Sequence, residues 1–88
     1  MDITTLGMLA VSQAGHDKNK IYVIIKEEDE YVYLADGRSR TADRPKKKNR
    51  KHIQIIRKVQ IKTSDDGYQD LEIKRIIKKY QEEANVKS

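Results

Sequence analysis

Between Arg44 and His52 the chain reads RPKKKNRKH, and six of these nine residues carry a fixed positive charge. Crowded together, side chains of this kind repel one another. Phosphate oxygens relieve that repulsion, and each contact releases counterions from a nucleic acid. If about five such groups met phosphates on single-stranded RNA, log K would fall with log salt with a slope of about −3.5. Lys46, Lys47, Lys48, Arg50 and Lys51 are therefore candidate phosphate ligands, with Pro45 stiffening the entry. A solvated, solubilising loop is the simpler account, and six charges in nine residues weigh against it. Asn49, the one neutral polar residue inside the run, either reads a base edge or closes a turn, and turn closure fits its type better. His52 either stacks on a base or donates to phosphate; otherwise it is an ordinary histidine at a strand end.

Two further groups could join this chemistry. Arg38 and Arg40 are two residues apart beside a turn, so on a strand they would face the same way, able to fork onto phosphate or stack on a base. The alternative is that they pair with the acidic stretch Glu27–Glu30. Lys18 and Lys20, with His16, lie on an earlier turn that either contacts nucleic acid or is a plain hairpin tip. Tyr22, Tyr31 and Tyr33 could offer stacking surfaces, but with no Phe and no Trp in the chain packing is the stronger expectation, beneath the C-terminal helix.

Other chemistries find little support. No serine stands in a nucleophile elbow, and there is no P-loop or dinucleotide fingerprint. Glu27–Glu30 are adjacent on an expected surface turn, which does not build two carboxylates with separated pKa values. Two histidines without cysteine lack metal-ligand spacing. The expectation is a binding protein without enzymatic activity, cofactor or metal.

The elements that must position these residues read as follows. MLAVSQ (8–13), KIYVIIKEE (20–28) and EYVYLAD (30–36) have the β-branched and aromatic content of strands, with Val32 and Leu34 on one face and Tyr31 and Tyr33 on the other. Gly15 and Asn19 suit positive φ in the first turn. Glu27–Glu30 read as a solvated hairpin end. Asp36–Arg38 is a tight-turn signal, followed by a short strand over 39–41. After the basic run, HIQIIRK and VQIK give a strand with a bulge or bend near Arg57, because Ile56 falls out of phase with Ile53, Ile55, Val59 and Ile61. Ile73, Ile76, Ile77, Tyr80 and Ala84 form one helical stripe, predicting a helix over 69–84. A loop precedes it, and the last four residues are expected to fray. The fold class is mainly β: a small five-stranded antiparallel barrel over about 5–62 with a C-terminal α-helix, in a single domain spanning 1–88.

The 88 residues carry a formal net charge of +5, and its distribution is uneven. Residues 1–35 hold 3 basic and 6 acidic side chains, net −3; residues 36–62 hold 11 and 2, net +9; residues 63–88 hold 5 and 6, net −1. A localised patch of this sort implies a polyanionic partner. The N-terminal stretch lacks the basic region of a signal peptide, and no apolar run approaches the roughly 20 residues that span a bilayer. A soluble, cytoplasmic protein is expected.

GMLAVSQAGHDKNKIYVII (7–25) resembles a KOW motif, with Gly15 in the place of its fixed glycine; His16 stands where a basic residue is common and Asn19 where a second glycine is common. ADGRSRTADRPKKKNRKH (35–52) is similar to the ribosomal-type branch of KOW proteins, in which a DG-x-R turn is followed by a Pro-Lys-Lys-Lys-Asn segment ending in Lys-His. Here those positions are Asp36, Gly37, Arg38, Pro45, Lys46, Lys47, Lys48, Asn49, Lys51 and His52. The helix with EIKRIIKKY is also similar to that group, with Gln69 in place of its Ser/Thr cap. The resemblance covers nearly the whole chain. It implies an SH3-like barrel that binds RNA, with ribosomal RNA of the large subunit as target and a role in translation. Phosphate contacts would fall to Arg38, Arg40, Lys46, Lys47, Lys48, Arg50 and Lys51, finer contacts to Asn49 and His52, and a second contact point to Lys18 and Lys20. The competing expectations are a NusG-like KOW module that docks on the transcription or translation machinery, through the C-terminal helix or the acidic hairpin, and a nonspecific DNA binder.

Overall fold

The protein is described from a computed structural model, which covers residues 4–63 and 67–85. Of the four residues expected to fray, Asn85 is the last residue of the C-terminal helix and 86–88 lie outside that range, as do the first three residues and the middle of the loop before the helix. Five antiparallel strands form one sheet: β1 (Met8–Ser12), β2 (Ile21–Glu27), β3 (Tyr31–Ala35), β4 (Lys46–Asn49) and β5 (Ile53–Gln60), in the order β4-β3-β2-β1-β5. Among the described residues a 3-10 turn, Arg50–His52, joins β4 to β5, and a helix, α1 (Asp70–Asn85), follows the sheet. The sheet is open, with β4 and β5 as its edges.

The two faces of the sheet bury different sets of residues, as the period of two in a strand requires. On one face Leu9, Val23 and Ala35 pack with Ile73 and Ile77 of α1, and Tyr68, Ile76 and Tyr80 pack around them. Full burial of one such isoleucine contributes about 1.5–3 kcal/mol, so the stripe on α1 fastens the helix to the sheet. The expected stripe ends at Tyr80, because Ala84 is exposed. On the other face Ala10, Tyr22, Ile24, Val32 and Leu34 are buried with Leu6, Ile53 and Ile55 against them. No residue of α1 belongs to this second cluster. Tyr22 thus lies on the face away from the helix. Tyr31 and Tyr33 are half-buried outside both clusters, and the tyrosines that pack on the helix-side cluster are Tyr68 and, from α1 itself, Tyr80.

Several local expectations hold. Gly15 and Asn19 take φ of 87° and 75°. The bulge falls at 57–59, since Met8 pairs with Gln60 while Leu9 pairs with Ile56. One expectation fails: residues 39–41 form no strand. Asp36 Oδ1 accepts from the backbone N–H of Arg38 (2.8 Å) and of Arg40 (2.9 Å), and Arg40 O accepts from Asp36 N. These bonds close a turn and use the amide groups that a ladder would need. The edge of β3 is taken instead by Lys46–Asn49, read from the sequence as part of a loop.

Candidate nucleic-acid interface

β4 is built of KKKN, residues of low strand propensity. Its register against β3 explains why it forms. Leu34 faces Lys46, Tyr33 faces Lys47, Val32 faces Lys48 and Tyr31 faces Asn49. Alternation therefore sends Lys46 and Lys48 to the buried face of Leu34 and Val32, and Lys47 to the opposite side.

Asp17 meets the two inward lysines. Its Oδ2 accepts from Lys46 Nζ (2.8 Å) and Tyr22 OH (2.9 Å); its Oδ1 accepts from Ser12 Oγ (2.8 Å) and Lys48 Nζ (2.9 Å). Lys48 Nζ also donates to Ala14 O (2.8 Å). Asp17 is only 5% exposed. Burial by itself would raise its pKa, but the bonds from Lys46, Lys48, Ser12 and Tyr22 outweigh that and hold the carboxyl far below the usual carboxylate range. Burial, with the Asp17 carboxylate beside it, pushes the Tyr22 phenol well above its ordinary value. Lys46 and Lys48, placed among the phosphate ligands by sequence, are thus committed to an internal carboxylate. Asp17 itself was not singled out in the sequence. The available signal was a lone carboxylate in a turn otherwise rich in lysine.

Arg50 is also engaged internally. Its guanidinium donates to Glu28 O from Nε (3.1 Å) and Nη2 (2.7 Å) and to Asp29 O (3.0 Å), and Nη2 lies 3.7 Å from Glu27 Oε2. It clamps the acidic hairpin end between β2 and β3. That end is only partly solvated: Glu28, Asp29 and Glu30 are exposed, but Glu27 is half-buried and accepts from the hydroxyls of Thr4 and Thr5 and from Thr5 N. Burial raises the Glu27 pKa, and these bonds together with Arg50 more than reverse it, leaving the carboxyl below its ordinary value. Asn49 closes the 3-10 turn, its Oδ1 accepting from Lys51 N at 2.9 Å, which is the structural role expected for it.

The remaining predicted residues face solvent. Lys47 is exposed, its ammonium 4.4 Å from the centroid of the Tyr31 ring. Lys26 covers Tyr33 in the same way at 5.0 Å, so both rings already carry a cation. Lys18, Lys20, Arg38, Arg40, Arg44, Lys51 and His52 are exposed, and among the described residues none of them makes an ion pair. Arg38 and Arg40 do not reach the acidic hairpin. The basic run therefore divides into an inward pair, a clamp and an outward set made of Arg44, Lys47 and Lys51.

Among the described residues no three His, Asp or Glu side chains gather as metal ligands, and no helix is long and apolar enough to cross a membrane. The chain matches no protein-family model and no curated protein.

Proposed function

We propose that this protein binds RNA without catalysing a reaction, as a KOW-type domain of SH3-like architecture acting on ribosomal RNA of the large subunit in the cytoplasm. One observation supports the reading above the others: Arg38, Arg40, Arg44, Lys47 and Lys51 are exposed and lack carboxylate partners among the described residues, although the sequence provides acids that could have paired with them. Lys18, Lys20 and His52 are also exposed and without carboxylate partners among the described residues. Docking is electrostatic, with contacts to phosphate fixing orientation and the shape of the folded RNA supplying selectivity. The ribosomal target rests on the resemblance of 35–52 to the ribosomal-type KOW proteins.

The test is fluorescence anisotropy with a labelled ribosomal RNA fragment from low to high salt, with duplex DNA as competitor. Changing Lys46, Lys47 and Lys48 together would mix binding with stability, since two of them hold Asp17. Arg44→Ala/Lys47→Ala/Lys51→Ala is the cleaner variant. It should keep the wild-type melting temperature and reduce the salt slope by about 2. A wild-type protein without measurable RNA affinity would overturn the reading and favour a protein-docking module; equal competition by duplex DNA would favour a general polyanion binder.

A further inference from the structure

A groove of about 510 Å³ lies between α1 and the sheet. Four cations line it: Lys20 from the first turn, Arg38 from the second, and Lys74 and Lys78 from the helix. Sequence reading placed the first two in separate candidate sites and passed over the helix lysines. The fold brings all four to one place.

Their charge is poorly compensated. None of the four makes an ion pair among the described residues. The acid in the lining is Asp36, whose Oδ1 already accepts from the N–H groups of Arg38 and Arg40. Lys74 and Lys78 are four apart on one helix face, where like charges weaken a helix by about 0.2–0.5 kcal/mol. They stand one turn apart, a spacing of the same order as successive phosphates on a single nucleic-acid strand. Gly37 lets the Asp36–Arg38 turn approach the helix closely. Its φ is +79°, and a Cβ there would stand 2.5 Å from Asp70 O and 2.7 Å from Lys74 Cγ. Half-buried Ile21 and buried Ile77 supply the apolar part of the lining.

We infer that this groove grips a single-stranded stretch of the RNA backbone, with Lys74 and Lys78 on one side and Lys20 and Arg38 on the other. The inference rests on the RNA-binding reading and moves the main contact from the basic run to the cleft between helix and sheet. A single strand fits better than a duplex, because a groove of about 510 Å³ has the size of a small-ligand site.

The probe is a fluorescein-labelled single-stranded RNA of mixed sequence. At about 0.1 M salt each lost phosphate contact costs roughly fivefold, so Lys74→Ala/Lys78→Ala should bind about 25-fold more weakly, with a salt slope lower by about 1.4. Lys74→Arg/Lys78→Arg, which keeps the charge, should retain affinity. Lys78→Ala alone, at an exposed site, should lose about fivefold and carries the test should the double variant unfold. Unchanged affinity in the alanine variants, with the wild type still binding, overturns the groove and leaves RNA binding intact. An equal loss in the arginine variant also overturns it, because the charge is conserved there. A wild type that binds no RNA overturns both.

Discussion

Three adjacent lysines, alike in composition, have two opposite roles. Lys46 and Lys48 converge on one carboxylate, while Lys47 points to solvent over Tyr31. Removing the carboxylate leaves two ammonium groups facing each other at a site that is 28% exposed for the Lys46 side chain and 10% for that of Lys48. Breaking a buried charge pair by deleting one partner costs about 3–5 kcal/mol, and the partial exposure of Lys46 places Asp17→Asn near the lower end. Urea unfolding should show a loss of about 3 kcal/mol for Asp17→Asn. Lys48→Ala should be clearly destabilised and Lys47→Ala near wild type; equal stability of these two lysine variants would refute the assignment. None of this was legible from charge counts, which treat every lysine alike. The pleat of β4 could have been applied to 46–49, but only once the segment is known to be a strand.

At the scale of elements, the contact between the Asp36–Arg38 turn and the start of α1 sets the architecture. Ala42 N donates to Asp70 Oδ1 at 2.7 Å, and Gly37 lies against Asp70 O and Lys74. Gly37→Ala brings a Cβ into that backbone oxygen at a positive φ, so the turn or the helix must shift. We expect a loss of more than about 1 kcal/mol, read as a lower thermal midpoint, together with weakened RNA binding as the groove opens. An unchanged midpoint would show that the turn and helix are loosely coupled. The turn glycine and the helix were both plain in the sequence. Their contact was not, since the two are more than 30 residues apart and nothing local ties them.

For the whole molecule, acid is the informative perturbation. The folded-state pKa values of Asp17 and Glu27 lie below their ordinary ones. Their contribution to stability is therefore complete above the unfolded carboxyl range near pH 4 and is lost as pH falls below it, because the unfolded chain takes up protons first. Urea midpoints should be level from about pH 7 to pH 5 and fall below about pH 4, as the unfolding free energy drops by up to about 1.4 kcal/mol per pH unit for each group. Asp17→Asn should lack its share of that slope. A wild-type midpoint that stays level to pH 3 would contradict the buried-carboxylate account.

By itself the sequence determined the mainly β class, the first three strands, the bulge on β5 and the amphipathic helix. Each depends on residues near one another in the chain: β-branched alternation, glycine or asparagine at positive φ, and apolar residues three and four apart. It also determined that positive charge is concentrated in the middle third. Only the tertiary structure decided which of those charges are available to a partner. Burying Asp17 demands counter-charges, and the strand that supplies them lies some 30 residues further on. The same long-range packing turned KKKN into an edge strand, because the buried Asp17 carboxylate is matched through space by Lys46 and Lys48, and it set the helix lysines beside the turn arginine, because the apolar stripe of α1 packs on the sheet next to that turn.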